Sequence, residues 1–223
     1  NNYQYYGRRK GSKLSKRKKI VLEKLLPELE LIEENISDYI LETTKKKNNV
    51  TLEIGFGSGE NLLNLINMSE NNRNFIGCEP YLNGLASFIS NLEIEKYEKI
   101  KLYKNDAREL LLQFSNKIFD EIFILYPDPW PKARHKKRRI INYDNLNLLL
   151  SKLKINGKIF IATDVKNYFD SIHNLFESNE NLKIINSNNF HLRPKKIICT
   201  RYEKKALRKN KKPLYLEAKK SLD

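Results

Sequence analysis

Apolar residues change their spacing near residue 50, and this change predicts where the central sheet begins. Between residues 20 and 45 they recur at helical intervals, which predicts a helix over 22–29 that Pro27 interrupts and a second helix over 35–44. From Val50 onward, short β-rich runs alternate with helical patterns. Alternating strands and helices are typical of a parallel sheet with right-handed crossovers and helices on both faces. The predicted fold class is therefore α/β.

The chain after Val50 divides into strands that are each followed by a helix, and then a strand-rich end. The strands are predicted at 50–55, 74–79, 100–105, 121–126 and 158–163, and the helices at 61–68, 82–94, 108–114, 144–153 and 165–176. The apolar runs 182–187, 197–204 and 214–218 predict further strands that end in an antiparallel hairpin. Such a hairpin is a common edge to a parallel sheet.

The start of the chain differs from the rest because it shows no burial pattern. Residues 1–20 are polar, basic and rich in tyrosine, which predicts a flexible basic arm that either binds phosphates or is a solvated tail. No linker rich in Pro, Gly or Ser and no internal repeat follows it. Residues 21–223 are therefore predicted to form a single domain.

The charge balance indicates that this α/β domain has a polyanionic partner. The 42 Lys and Arg against 27 Asp and Glu give a net charge of +15. Each neutralised phosphate releases counterions, so such an excess favours nucleic acid, although a lysine-rich solvated surface would look similar. Cys78 and Cys199 lie apart in apolar runs and the three His show no metal-ligand spacing, so neither a disulfide framework nor a metal site is predicted. Without a signal-peptide core or a membrane span of roughly 18 apolar residues, a cytoplasmic protein is expected.

The stretch YPDPWPKARHKKRR at 126–139 carries the strongest chemical signal. Prolines at 127, 129 and 131 end the preceding strand, since each lacks a backbone N–H and fixes φ. They hold Asp128 and Trp130 on a stiff turn at the carboxyl end of a strand, where open α/β sheets bind ligands. A block of like charge follows at 134–139. An acid beside such a block indicates chemistry on a nucleic acid.

The turn after the first strand is Gly55-x-Gly57-x-Gly59, which is similar to a dinucleotide fingerprint but incomplete. That fingerprint requires a third glycine at position 60, where this chain has Glu60. A carboxylate there opposes a pyrophosphate at the helix N-terminus, so NAD is disfavoured. S-adenosylmethionine carries no phosphate and remains compatible with the turn.

Acidic residues at successive strands strengthen the case for S-adenosylmethionine. Glu79 ends the second strand, where a carboxylate can accept both ribose hydroxyls, and Asp106 with the N–H of Ala107 can read an adenine edge. Glu53 lies inside the first strand, where burial costs several kcal/mol unless a cation pairs with it. The amino group or sulfonium of S-adenosylmethionine would supply that cation. Together these acids predict a methyltransferase donor site.

At this point the sequence resembles the bacterial tRNA (guanine-N7-)-methyltransferases. The resemblance rests on LEIGFGSG at 52–59, PDPWPKARHKKRR at 127–139, ATD at 162–164 and TRYE at 200–203. It implies a class I, Rossmann-like methyltransferase with a mostly parallel seven-stranded sheet, S-adenosylmethionine as donor, and a guanosine in the tRNA variable loop as substrate.

The resemblance also implies roles for individual residues. The donor site would include the glycine turn, Glu53, Glu79, Asp106, Ala107 and Asp128, and Asp128 would also be the active-site residue. The implied substrate-binding residues are Lys132, Arg134, His135, Lys136, Lys137, Arg138, Arg139, Asp164, Thr200, Arg201, Tyr202 and Glu203.

Guanine N7 carries an in-plane lone pair at neutral pH, so its methylation needs positioning and electrostatics rather than a general base. We expect Asp128 to stabilise the cationic product, and Asp164 to be an alternative that orients the base. Trp130 or Tyr126 could stack on an extruded base or simply pack at the sheet edge. Two other functions stay open from the residues: a base-amine methyltransferase and a non-catalytic basic RNA-binding protein.

Overall fold

The computed structural model describes residues 4–7, 9, 11–69, 72–114 and 117–221. Seven strands form one sheet, and their bounds are β1 Asn49–Ile54, β2 Arg73–Cys78, β3 Ile100–Tyr103, β4 Phe119–Leu125, β5 Leu153–Thr163, β6 Leu182–Ile184 and β7 Leu214–Lys220. The strand order is β3-β2-β1-β4-β5-β7-β6. The first five strands are parallel, and β7 is antiparallel to both β5 and β6. This is the predicted α/β class, with its antiparallel edge.

Helices join the strands and cover the sheet. Their bounds are α1 Lys16–Lys24, α2 Leu26–Leu29, α3 Glu33–Lys45, α4 Glu60–Asn67, α5 Leu82–Asn91, α6 Ala107–Gln113, α7 Tyr143–Lys152, α8 Lys166–Glu177 and α9 Arg201–Leu207. Pro27 lies in the first turn of α2, where its missing N–H costs nothing. The predicted interruption is therefore a boundary at Leu25 between two short helices, with Pro27 inside the second. No helix within the described ranges is long and apolar enough to cross a membrane.

The sheet is buried on both faces, as parallel sheets are. Along β1, Leu52 and Ile54 face the larger core cluster, and Thr51 and Glu53 alternate with them on the opposite face. On that opposite face, Phe123 of β4 stacks on Phe160 of β5 with ring centroids 4.5 Å apart. Packing on both faces thus fixes the register of the parallel strands, and this register places their carboxyl ends at the same edge of the sheet.

One predicted strand is wrong. Residues 197–204 do not extend the sheet; α9 begins at Arg201 within them, and the Thr200 side chain accepts a hydrogen bond from the N–H of Glu203. The spacing Thr-x-x-Glu is a helix-start signal, and here it outweighs the β-rich run before it. β5 also begins earlier than predicted, at Leu153, with a register shift opposite Phe119. The helix predicted over 22–29 is two helices, of which α1 begins six residues earlier, at Lys16. The remaining predicted elements are present near their predicted limits.

The described part of the predicted N-terminal arm lies against the domain. Residues 16–20 form the first turn of α1, which Ser15 caps and which packs on α5. Before it, the carbonyl of Arg9 accepts a hydrogen bond from Leu82 N at 3.3 Å, and the carbonyl of Gln4 accepts one from Arg108 Nη2 at 3.2 Å. The division into an arm and one domain stays a prediction.

Candidate active site

A cavity of about 360 Å³ lies at the carboxyl ends of β1, β2 and β4. Because β1 is flanked by β2 on one side and β4 on the other, the order of the sheet reverses there. Ligands of open α/β sheets bind at this switch point. The walls come from the turns after β1 to β4, the start of α9, and residues 5–7.

The glycine turn leaves one side of the cavity open. Gly55, Gly57 and Gly59 all have positive φ, at 71°, 61° and 78°, which glycine adopts without a steric penalty. A Cβ on Gly55 would meet no atom within 4 Å, and Gly55 borders the cavity. A Cβ on Gly59 would lie 2.2 Å from the Phe88 ring. The turn therefore gives a ligand close access to the backbone at Gly55 and allows close packing at Gly59.

Glu79 joins the end of β2 to the glycine turn. One carboxylate oxygen accepts a hydrogen bond from Gly57 N at 2.6 Å and the other accepts one from Tyr81 N at 2.8 Å. Burial raises the pKa of Glu79, and the two backbone donors oppose this shift. The carboxylate is thus held in one orientation at the cavity wall, with lone pairs left for a hydroxyl donor.

Asp106 lies at the start of α6 and is buried. Its Oδ1 caps the helix at Arg108 N and also accepts from Arg108 Nε, both at 2.9 Å, while Oδ2 accepts from Arg108 Nη2 at 2.6 Å. Asp106, Ala107 and Arg108 all line the cavity. Arg108 was not among the residues predicted from the sequence, and it balances the charge of Asp106.

Glu53 is set apart from the other predicted donor-site acids. The cavity lining, over the described chain, does not include it. Its partner is a protein amide: Asn61 Nδ2 donates to Glu53 Oε2 at 3.0 Å. With only 2% of the residue exposed, burial raises the pKa of Glu53 to about 8. The buried carboxyl therefore has an amide partner where the sequence suggested a ligand cation.

The proline turn, residues 126–131, forms the opposite wall. Tyr126 and Trp130 have positive φ, 54° and 40°, which is strained for residues with a side chain and is held only by surrounding structure. Tyr126 N donates to Ala162 O at 2.7 Å. Asp128 lines the cavity at an exposed position, and partial desolvation raises its pKa. A carboxylate with weakened hydration stands where a cation would be favoured.

The basic block divides into an exposed part and a buried part. Lys132 and a 3₁₀ helix, Ala133–Arg138, present the exposed cations Arg134, Lys136 and Lys137. His135 packs edge-on against Trp130, and desolvation and the neighbouring cations lower its pKa. Arg138 reaches the cavity.

Arg139 differs from the other cations of the basic block at 134–139. It is 4% exposed, and its Nε donates to Pro129 O at 2.8 Å. The guanidinium of Arg139 is thus buried and bonded within the protein in this structure, whereas the resemblance placed it among the residues that contact RNA. It differs in this respect from the exposed cations before it.

The run Thr200–Glu203 provides the start of α9. Arg201 and Tyr202 line the cavity, whereas Thr200 and Glu203 are buried below them. Glu203 Oε1 accepts from Arg193 Nε at 3.1 Å, and its Oε2 has no hydrogen-bond partner among the described residues. Asp164, predicted near the base, pairs with Lys211 Nζ at 2.6 Å outside the cavity lining described above.

Two tyrosines that the sequence assigned to the arm belong to the cavity. Tyr5 and Tyr6 line it, and the Tyr6 ring lies 6.4 Å from Trp130 in an edge-on contact. The guanidinium of Arg138 lies over both rings, 4.4 Å from Tyr6 and 5.1 Å from Trp130. The aromatic run QYYG was the available signal, but spacing alone gives no hint of a contact so distant in sequence. Within the described residues, no group of three or more His, Cys, Asp or Glu could hold a metal ion.

Comparisons with known proteins agree with this geometry. Residues 47–216 match the family model described as "Putative methyltransferase". The chain is 40% identical over 223 residues to the tRNA (guanine-N(7)-)-methyltransferase of Bartonella quintana, covering 95% of this chain and 93% of that protein. It is 36% identical over 211 residues to the bifunctional methyltransferase of Rickettsia felis, covering 95% of this chain but only 38% of that protein, so it spans about two fifths of that relative's length.

A solved structure shows the same fold. The O-methyltransferase TomG of Streptomyces achromogenes, solved in complex with SAM, aligns with a TM-score of 0.55 at 12% identity, over 94% of this chain and 92% of that one. At such low identity the likeness concerns the arrangement of strands and helices alone. It agrees with the seven-stranded sheet described above.

Proposed function

Because this chain belongs to the bacterial tRNA (guanine-N7-)-methyltransferase family, we propose that it transfers a methyl group from S-adenosylmethionine to N7 of a guanosine in the variable loop of tRNA. The product would be 7-methylguanosine. One observation supports this most: Asp128 lines the same cavity as Glu79 and Asp106, and the exposed cations of residues 132–137 follow it closely along the chain.

The residues of the cavity fit the donor. S-adenosylmethionine, when bound, supplies an electrophilic methyl group on a sulfonium and brings positive charge, which the Glu79 carboxylate favours, whereas the charge of Asp106 is already balanced by Arg108. Glu79, which two backbone donors hold in place, would accept ribose hydroxyls, and Ala107 N beside Asp106 would read an adenine edge. Gly55 leaves open space for the ligand. Gly57, Gly59 and Glu53 would act indirectly, by shaping and supporting the turn.

Asp128 would act on the guanine through charge. Guanine N7 needs no general base, so the protein has to align it with the methyl group and stabilise the positive charge that grows on the base. Partial desolvation of the Asp128 carboxylate strengthens its attraction to that charge. Trp130 and Tyr6, bridged by Arg138, offer aromatic faces against which an extruded base could stack.

Two groups of residues would hold the substrate. Lys132, Arg134, Lys136 and Lys137 are exposed and would neutralise phosphates, with His135 between them in the chain. Arg201 and Tyr202 line the cavity, and Thr200 and Glu203 would hold them through the start of α9. A role for Asp164 in orienting the base would require it to leave Lys211.

The test is to incubate the protein with methyl-labelled S-adenosylmethionine and tRNA that lacks 7-methylguanosine, and then to identify the labelled nucleoside. We expect label in 7-methylguanosine, and none when 7-deazaguanosine replaces the target guanosine, because that base has no N7. Label in another nucleoside would leave a methyltransferase with a different target, such as a base amine. Salt-sensitive tRNA binding without label or donor affinity by calorimetry would indicate a non-catalytic RNA-binding protein.

A further inference from the structure

We propose that Arg139 positions the proline turn that carries Asp128, and that it does not contact RNA. This inference rests on the proposed function, since the turn matters only if Asp128 acts on the substrate. The proposal gives Arg139 a different role from the exposed cations that precede it in the chain.

The link between Arg139 and the turn is direct. Arg139 Nε donates a hydrogen bond to Pro129 O at 2.8 Å, one residue beyond Asp128. Tyr126 and Trp130 hold strained positive φ angles on either side, so the turn keeps its shape only while neighbouring groups fix it. Tyr126 is held from β5 through the carbonyl of Ala162. Arg139 holds the other end.

Arg139 is itself held in place from several directions. Its guanidinium lies over the Tyr168 ring at 4.4 Å, and Nη1 donates to Ser171 Oγ at 3.3 Å, so α8 fixes the side chain. Its carbonyl accepts from Asn142 Nδ2 at 3.0 Å, which ties it to the start of α7. Only a planar guanidinium can stack on a ring and donate in two directions at once.

The burial of Arg139 decides between positioning and phosphate contact. It is 4% exposed, whereas Lys136 and Lys137 in the same block are exposed. A phosphate could reach Arg139 only if its contacts to Pro129 and Tyr168 were broken. The Arg139 guanidinium therefore interacts with groups inside the protein, Pro129 O and the Tyr168 ring.

The experiment compares Arg139→Gln with the matched exposed variant Lys137→Gln. For each we would measure kcat and KM for tRNA, the slope of log binding constant against log salt, and the emission of Trp130, the only tryptophan in the chain. For Arg139→Gln we expect kcat to fall about 100-fold, because a turn misplaced by about 1 Å loses alignment. Its salt slope should not change, and Trp130 emission should shift with greater acrylamide quenching. Lys137→Gln should instead lower the salt slope by about 1 and leave the emission unchanged.

Arg139→Lys is the second variant, in case Arg139→Gln does not fold. It keeps the charge but cannot both stack on Tyr168 and bond Pro129, so we expect a smaller loss of kcat with the same emission shift. A salt slope lowered by about 1 with kcat and emission retained would overturn the proposal and make Arg139 a phosphate contact. If the wild-type protein forms no 7-methylguanosine, the proposed function fails, and the Trp130 emission still shows whether Arg139 holds the turn.

Discussion

Replacing Glu53 by glutamine should stabilise the protein in a way that depends on pH. Burial raises the pKa of Glu53 from 4.5 to about 8. Between these values the folded carboxyl keeps its proton while the unfolded one has lost it, so the unfolding free energy falls as pH rises. At about 1.4 kcal/mol per pH unit, the cost at pH 7 is about 3 kcal/mol.

Glutamine resembles the protonated carboxyl in shape and keeps an acceptor for Asn61 Nδ2. We therefore expect Glu53→Gln to match the wild type near pH 4.5 and to gain stability by about 1.4 kcal/mol per pH unit toward pH 8. Urea unfolding followed by circular dichroism at several pH values measures this difference. Glu93→Gln, at an exposed position, is the control and should show no such trend.

A constant difference between Glu53→Gln and wild type across this pH range would refute the reasoning. Donor binding offers a second readout. If a bound cation draws the ionised form of Glu53, calorimetry at pH 7 in buffers of different ionisation enthalpy should show release of up to about one proton, which Glu53→Gln abolishes. Binding without proton release would mean that Glu53 supports the glycine turn through Asn61 alone.

Four further variants test the site. Asp128→Asn should lower kcat by about 100-fold or more with little change in donor affinity, because it removes charge stabilisation. A single-turnover methylation rate of the variant similar to that of the wild type would contradict this. Gly59→Ala should cost about 2–4 kcal/mol of unfolding free energy, because the new Cβ meets Phe88 and the φ angle is positive. Gly55→Ala should cost about 1 kcal/mol and should weaken donor binding, which calorimetry measures. Lys137→Gln should raise KM for tRNA with kcat retained, most clearly at low salt, where a phosphate contact contributes most to affinity.

The fold could be predicted from the sequence to a large extent, because burial leaves a local signature. Strands buried on both faces are continuous apolar runs, and amphipathic helices repeat every three to four residues. One failure, at residues 197–204, arose where a Thr-x-x-Glu helix start followed a β-rich run, and the local signals conflicted. The glycine turn and the proline turn were recognisable because their backbone conformations require particular residues.

The sequence by itself determined the α/β class and the chemistry of the glycine turn and the proline turn. Only the tertiary structure decided which of the predicted residues share the cavity. It placed Tyr5 and Tyr6 against Trp130 and gave Glu53 an amide partner, and it buried Arg139 behind the proline turn although its neighbours in the block are exposed. The physical reason is that burial and pairing of a charged side chain depend on packing between distant elements, and a run of like residues carries no information on which of them faces inward.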